Sequence, residues 1–94
     1  MHHIDPEMQR CIDACLRCYQ PCLGMITKLM LACSETCRVT AHVIIIGSPH
    51  HKHLCAECAD ICEDCASECE RLGDMDACVR ACRECAESCL KMAA

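Results

Sequence analysis

Cysteine recurs at intervals of three and four residues along most of the chain. Fifteen of the 94 residues are cysteine, and the pattern is clearest in the segment CAECADICEDCASEC, which covers residues 55–69. Because an α-helix turns about 100° per residue, cysteines at this spacing lie on one side of a helix. A soluble helix usually carries large aliphatic residues there. The pattern therefore predicts rows of soft ligand atoms that face the interior of the protein.

The spacing CxxxCxxCxxxC occurs at residues 11–22, 58–69 and 78–89, which indicates one helical unit used repeatedly. On a helical wheel the four cysteines of the first and last copies each span about 60°, and the five between 55 and 69 span about 80°. Two further cysteines share a helix face with Met30, Thr40 and Ile44. The predicted metal ligands on these stripes are Cys11, Cys15, Cys18, Cys22, Cys33, Cys37, Cys55, Cys58, Cys62, Cys65, Cys69, Cys78, Cys82, Cys85 and Cys89.

Helix start and stop signals divide the chain into four helical segments. Asp5 is the predicted N-cap of the first segment, with Pro6 at the first helical position, and Gly24 follows that segment. A second segment runs from about residue 25 to residue 46, where Gly47 predicts its end. No segment shows the alternation of a β-strand. The chain is therefore predicted to be all-α, an antiparallel four-helix bundle with a cysteine-lined core, with residues 1–94 as a single domain.

The last two helices have predicted starts of their own. The stretch GSPHHKH suggests Ser48 as the N-cap of the third helix with Pro49 just inside it. Gly73 predicts the end of that helix. Asp74 or Asp76 is the expected cap of the fourth helix, which runs to about residue 92.

Composition excludes several classes of function. The net charge of −5 argues against a nucleic-acid partner, and Tyr19 is the only aromatic residue. The first ten residues lack the features of a signal peptide. The longest apolar run, VIII at residues 43–46, is too short to span a membrane. We therefore expect a cytoplasmic protein without a membrane partner, in which the thiols stay reduced.

Four interpretations of a sulfur-lined core remain open from the residues alone. The cysteines can be core filler, although larger aliphatic residues fill a core better. They can form disulfides, but cysteines four apart on one helix are poorly placed for bridging and their number is odd. They can bind zinc or an iron–sulfur cluster, whose ligands usually form separate local sets. The continuous rows fit best with many Cu(I) ions, which prefer thiolate and thioether ligands. A thiol redox protein would need one exposed, reactive cysteine, and no cysteine is singled out.

Three further donors extend the stripes at one predicted end of the bundle. His51 precedes Cys55 by four residues, Met8 precedes Cys11 by three, and Met92 follows Cys89 by three. In an antiparallel bundle these positions gather at one mouth. His51, Met8 and Met92 are therefore predicted to ligate copper during transfer.

The repeated CxxxCxxCxxxC helices, with GSPHHKHLCAECADICEDCASEC opening the third, resemble the bacterial copper storage proteins. The resemblance covers essentially the whole chain and is closest to the cytosolic branch. It implies a four-helix bundle that binds many Cu(I) ions and assembles as a homo-oligomer, often a tetramer. We expect no catalysis, because the sequence suggests no pair of nucleophile and base. A copper chaperone or a copper exporter is then the expected exchange partner. The chain departs from the family at the first connection, near Gly24, where a longer segment is expected.

Overall fold

Four helices account for most of the chain. The computed structural model describes residues 4–23 and 27–94, and in the first range the side chains as far as Tyr19. The helices are α1 (Pro6–Leu23), α2 (Lys28–Ile46), α3 (His51–Leu72) and α4 (Asp76–Ala93). The prediction of an all-α bundle is confirmed.

Each helix packs against two others, so that the four form a ring in chain order. Helix α1 packs on α2 and α4, and α3 packs on the same two helices. The sulfur contacts show that neighbouring helices run in opposite directions. Cys11 contacts Cys89 near one end of α1 and α4, whereas Cys18 contacts Cys82 further along. The result is an elongated body of 43 × 19 × 17 Å, with its core on the long axis.

Side chains and backbone geometry at the helix ends explain where α1 and α2 begin and where α2 ends. The Asp5 carboxylate accepts a hydrogen bond from the backbone N–H of Met8 at 2.8 Å, as its predicted role as N-cap requires. Helix α2 begins at Lys28 because the Thr27 hydroxyl accepts from the Met30 N–H at 3.2 Å, a cap that was not predicted. Gly47 ends α2 in the left-handed conformation, with φ 88°.

The predicted starts of α3 and α4 were wrong, by two residues for α3 and by one for α4. Ser48 is not the N-cap of α3, because its hydroxyl and carbonyl oxygens close a turn onto the N–H groups of residues 50 and 51. The helix starts only after that turn, at His51. Neither Asp74 nor Asp76 caps α4. Asp74 has φ 56°, a left-handed conformation typical of turns. Asp76 is already the first helical residue, where its negative charge interacts favourably with the positive end of the helix dipole.

Helix α2 is the most apolar element. By length and composition it is the one helix in the described part of the chain that could cross a membrane. Its inner face, however, is fully buried against the other helices, and Ala41 and Ile44 are 0% exposed there. A core helix of a small bundle has the same length and composition, so we attribute the apolar character of α2 to packing.

Candidate metal centre

The cysteine side chains form the centre of the core. All fourteen whose side chains the structure describes are thiols, and none is more than 2% exposed. The side chain of the fifteenth, Cys22, lies outside the described residues. The predicted inward orientation of the other fourteen is confirmed. A core usually filled by branched aliphatic side chains is here filled by sulfur.

The sulfur atoms form an unbroken path along the bundle. Each step between neighbouring Sγ atoms measures between 2.9 and 4.0 Å, and every step except Cys82–Cys78, which lies within α4, crosses from one helix to another. These distances exceed a disulfide bond of about 2.05 Å, so the described sulfurs on the path are not cross-linked. The path runs through Cys11, Cys89, Cys15, Cys85, Cys37, Cys62, Cys18, Cys82, Cys78 and Cys69.

The sulfurs also gather into sets whose members lie within 4.8 Å of one another. Cys37 and Cys62 belong to two sets of four, so neighbouring sets share ligands. One end of the path has a set of three, and Cys65 joins another set of three with residues 33 and 82. The sets include Cys15–Cys58–Cys85–Cys89, Cys18–Cys33–Cys37–Cys62, Cys37–Cys58–Cys62–Cys85, Cys11–Cys55–Cys89 and Cys33–Cys65–Cys82.

Hydrogen bonds between thiols shift the cysteine pKa values in opposite directions. Hydrogen bonding to Cys11, followed by burial, raises the pKa of Cys55 to about 12. Hydrogen bonding to Cys18 and its neighbours raises the pKa of Cys62 well above its usual range. The hydrogen bonds of surrounding thiols lower the pKa of Cys58. A thiolate in such a set is stabilised by neighbours that keep their protons, so the metal-free core retains most of its thiol protons.

The three predicted donors that are not cysteines lie at one end of the bundle. Met8 is in the first turn of α1, His51 is the first residue of α3, and Met92 is in the last turn of α4. Met92 is buried, and the other two are half-buried. His51 Nδ1 lies 2.8 Å from the carbonyl oxygen of Ser48. Because that oxygen can only accept, Nδ1 carries the proton, and in the neutral ring Nε2 then has a lone pair available for a ligand.

Helix α2 contains a buried polar atom for which the sequence predicts no role. Thr40 is 0% exposed, and its hydroxyl has no hydrogen-bond partner among the described residues. The signal was present in the sequence, because α2 carries Cys33, Cys37, Thr40 and Ile44 at the same spacing as the four cysteines of α1. Thr40 thus takes the place of a third cysteine.

Comparison with protein families gives one match over the whole chain. The model described as "Csp: Copper storage protein" matches residues 1–94. A cysteine-rich protein of Bacillus subtilis, YhjQ, is 36% identical over an alignment of 104 positions, which covers 92% of this chain and 95% of that protein. Since 104 positions exceed the 94 residues here, that relative has residues that this chain lacks.

Solved structures with the same fold cover nearly the whole chain. The Nmul_A1745 protein from Nitrosospira multiformis superposes with a TM-score of 0.88 and is 39% identical, over 93% of this chain and 94% of that one. The Cu(I)-bound copper storage protein BsCsp3 gives a TM-score of 0.84 at 34% identity, over 94% and 99% of the two chains. Metal-free Csp3 from Bacillus subtilis gives 0.81 at 37% identity, over 92% and 98%.

Proposed function

Because the chain belongs to the copper storage protein family, we propose that it binds several Cu(I) ions through cysteine thiolates inside the bundle and stores them there. The observation that carries this proposal is the unbroken path of sulfur atoms, with steps of 2.9 to 4.0 Å. A thiolate–metal bond of roughly 2.3 Å places two sulfurs that share an ion no more than about 4.6 Å apart. Neighbouring sulfurs on the path are therefore close enough to hold ions between them with little movement of the backbone.

The chemistry of Cu(I) suits this arrangement better than that of zinc. Cu(I) is soft, favours thiolate ligands and accepts low coordination numbers, so one thiolate can serve two ions. Zinc in structural sites prefers a closed set of four ligands. Here Cys37 and Cys62 each belong to two sets, so the sets cannot all be separate tetrahedral sites. Cysteines that belong to two sets favour a continuous array of ions, each bound by few ligands.

Charge compensation explains how the same core exists with and without metal. Buried thiolates without cations would be strongly unfavourable, so the empty core holds neutral thiols. Each incoming Cu(I) ion displaces a thiol proton, and the positive ion balances the negative charge that the thiolate sulfur keeps. The neutral thiols pack as small apolar groups, which allows the bundle to fold before metal arrives.

All fifteen cysteines, including Cys22, are proposed ligands, and His51, Met8 and Met92 are proposed as transfer ligands at the mouth. We propose storage without catalysis. In the described part of the chain each thiol is almost fully buried, which leaves none in the exposed setting that a reactive cysteine needs. The proposal also includes residues 1–94 acting as one domain in the cytoplasm, where a copper chaperone or exporter would exchange ions with it.

Assembly into a homo-oligomer belongs to the same proposal. Ile46 is 73% exposed at the end of α2, and Leu90 is 57% exposed on α4. Contact with a second copy of the chain would remove these apolar side chains from water, which favours assembly. Light scattering after size-exclusion chromatography measures the mass, and a mass of about 10.4 kDa, that of one chain, would contradict assembly.

The decisive test of function is a Cu(I) titration of the reduced protein against a chromophoric competitor under anaerobic conditions. We expect a capacity approaching about one ion per cysteine, because each thiolate can bridge two ions. Uptake of a few zinc ions with no further uptake of Cu(I) would contradict the proposal. The matched variants are Cys62→Ala, which removes a sulfur shared by two sets, and Ala66→Gly, which changes the same helix without removing a ligand. Capacity should fall by about one to two ions in the first variant only.

A further inference from the structure

We propose that the Thr40 hydroxyl is a positioning group for stored copper: it donates a hydrogen bond to a thiolate of the Cys11–Cys55–Cys89 set when that set holds Cu(I). This inference rests on the proposed storage function and extends it to a residue that is not a cysteine. Two observations on α2 carry it: the register of Thr40 along the bundle, and the state of its buried hydroxyl, which has no hydrogen-bond partner among the described residues.

The first observation is the register of Thr40 along the bundle. On α2, Cys37 contacts Cys58 of α3 at 3.8 Å, and Cys33 contacts Cys62 at 3.7 Å. Because α2 and α3 run in opposite directions, the next position of the α2 stripe, Thr40, lies level with the next cysteine of α3, at position 55. That cysteine belongs to the set formed by α1, α3 and α4, to which α2 supplies no sulfur. Thr40 therefore occupies the α2 corner at this level.

The second observation is the state of the hydroxyl. A threonine within a helix commonly donates to the carbonyl oxygen one turn earlier, and Thr36 does so to Ala32 at 2.8 Å. Thr40, on the same helix, is 0% exposed and its hydroxyl makes no such bond. A buried hydroxyl without a partner is costly, and valine has the same shape without that cost. The metal-free protein therefore contains nothing among its described residues that offsets the cost of burying this hydroxyl.

Copper loading supplies the missing acceptor. A hydroxyl oxygen is a hard donor and a poor ligand for Cu(I), so Thr40 does not replace a cysteine as a ligand. Its O–H group can instead donate to sulfur. A neutral thiol accepts weakly, whereas an ionised group forms hydrogen bonds about twice as strong as a neutral one. Conversion of the neighbouring thiols to copper-bound thiolates therefore gives the hydroxyl a partner only in the loaded protein.

The test compares Thr40→Val, Thr40→Ser and Thr36→Val with the original protein. Thr40→Val removes the hydroxyl at constant shape, Thr40→Ser keeps it, and Thr36→Val removes a hydroxyl whose partner is already present. Two quantities are measured: thermal unfolding of the metal-free proteins, and the rate at which fully loaded proteins lose Cu(I) to an excess of a chromophoric chelator.

Metal-free Thr40→Val should unfold at the same temperature as the original protein or higher. Its loaded form should release the most labile ions roughly tenfold faster, the factor expected for one charge-assisted hydrogen bond. Thr40→Ser should restore slow release, and Thr36→Val should release at the original rate. Equal release rates for Thr40→Val and the original protein would overturn the inference. So would marked destabilisation of metal-free Thr40→Val, because the hydroxyl would then have a partner without copper. Failure of the original protein to take up Cu(I) would instead refute the storage function itself.

Discussion

Helices α2 and α3 lie side by side in the bundle, yet they fill the same core with different chemistry. Helix α3 contributes five buried cysteines to the core. Helix α2 contributes two cysteines together with Met30, Ala41 and Ile44, all of them at most 1% exposed. The proposed transfer ligands at the mouth follow the same division, because they belong to α1, α3 and α4. The contrast indicates that α1, α3 and α4 carry most of the metal ligands, whereas α2, with two of them, adds more aliphatic packing to the empty bundle than any other helix.

The largest expected effect is the stabilisation of the folded bundle by copper, which should be greater in α3 and α4 than in α2. Loading should raise the free energy of unfolding by about 4 kcal/mol for each site at which free Cu(I) exceeds its dissociation constant a thousandfold. Amide hydrogen exchange should slow more in α3 and α4 than in the last two turns of α2, which carry no cysteine. Equal protection in all helices would show that α2 is no less involved in metal binding than its neighbours.

Alkaline pH should destabilise the metal-free protein, because buried thiols with raised pKa values lose their protons. The pKa of Cys55 is raised to about 12 in the folded protein, and that of Cys89 is also raised, first by its hydrogen bond to Cys11. A raised pKa contributes stability that is complete below the unfolded value of about 8.5 and is lost as the pH rises from there towards the folded value.

The contribution of Cys55 to the free energy of unfolding is therefore lost between about pH 8.5 and about pH 12, at about 1.4 kcal/mol per pH unit. Anaerobic urea unfolding at several pH values measures this dependence. The copper-loaded protein is the control, since its thiols are already deprotonated. Constant stability of the metal-free protein up to pH 11 would contradict a neutral thiol core.

Truncation on α2 should impair folding without changing storage. Ile44→Ala removes three buried carbons from a side chain that is 0% exposed, so the free energy of unfolding of the metal-free protein should fall by about 2–5 kcal/mol. Ile45→Ala, where the side chain is 45% exposed, is the matched control and should have little effect. Both should bind the original number of copper ions. Loss of capacity in Ile44→Ala at a temperature where it remains folded would contradict the division between the helices.

The smallest expected effect concerns the mouth. His51→Ala should slow the uptake of Cu(I) several-fold without lowering the final capacity, because the imidazole Nε2 supplies a ligand outside the sulfur path. His53→Ala is the control, since that side chain is exposed and lies off the cysteine stripe. Stopped-flow loading from a weak Cu(I) complex gives the rates. A fall in capacity would make His51 a storage ligand, and unchanged rates would remove it from the transfer path.

Much of the fold could be predicted because helix periodicity is a local property. The spacing at residues 55–69 places five cysteines on one face whatever the rest of the chain does, and Gly47 ends α2 as predicted. The starts of α3 and α4 could not be predicted equally well, because Ser48 and Asp74 take part in turns whose geometry depends on how two packed helices are connected. Periodicity also leaves open which sulfurs meet. The Cys37–Cys62 contact depends on the relative rotation and axial position of α2 and α3.

The role of Thr40 illustrates the same limit. Its place on the α2 stripe follows from spacing, but neither its complete burial nor the absence of a partner for its hydroxyl can be predicted from residue types. Both depend on the packing of four helices at one level of the bundle.

The central claim is that a continuous line of sulfur atoms inside the bundle holds copper along its axis. Anomalous diffraction at the copper absorption edge, from crystals of the loaded protein, locates the ions directly. The account predicts a row of copper peaks between the helices, each beside two or more sulfurs of the path from Cys11 to Cys69. Peaks confined to surface histidines, or a single isolated site in an otherwise metal-free core, would contradict it.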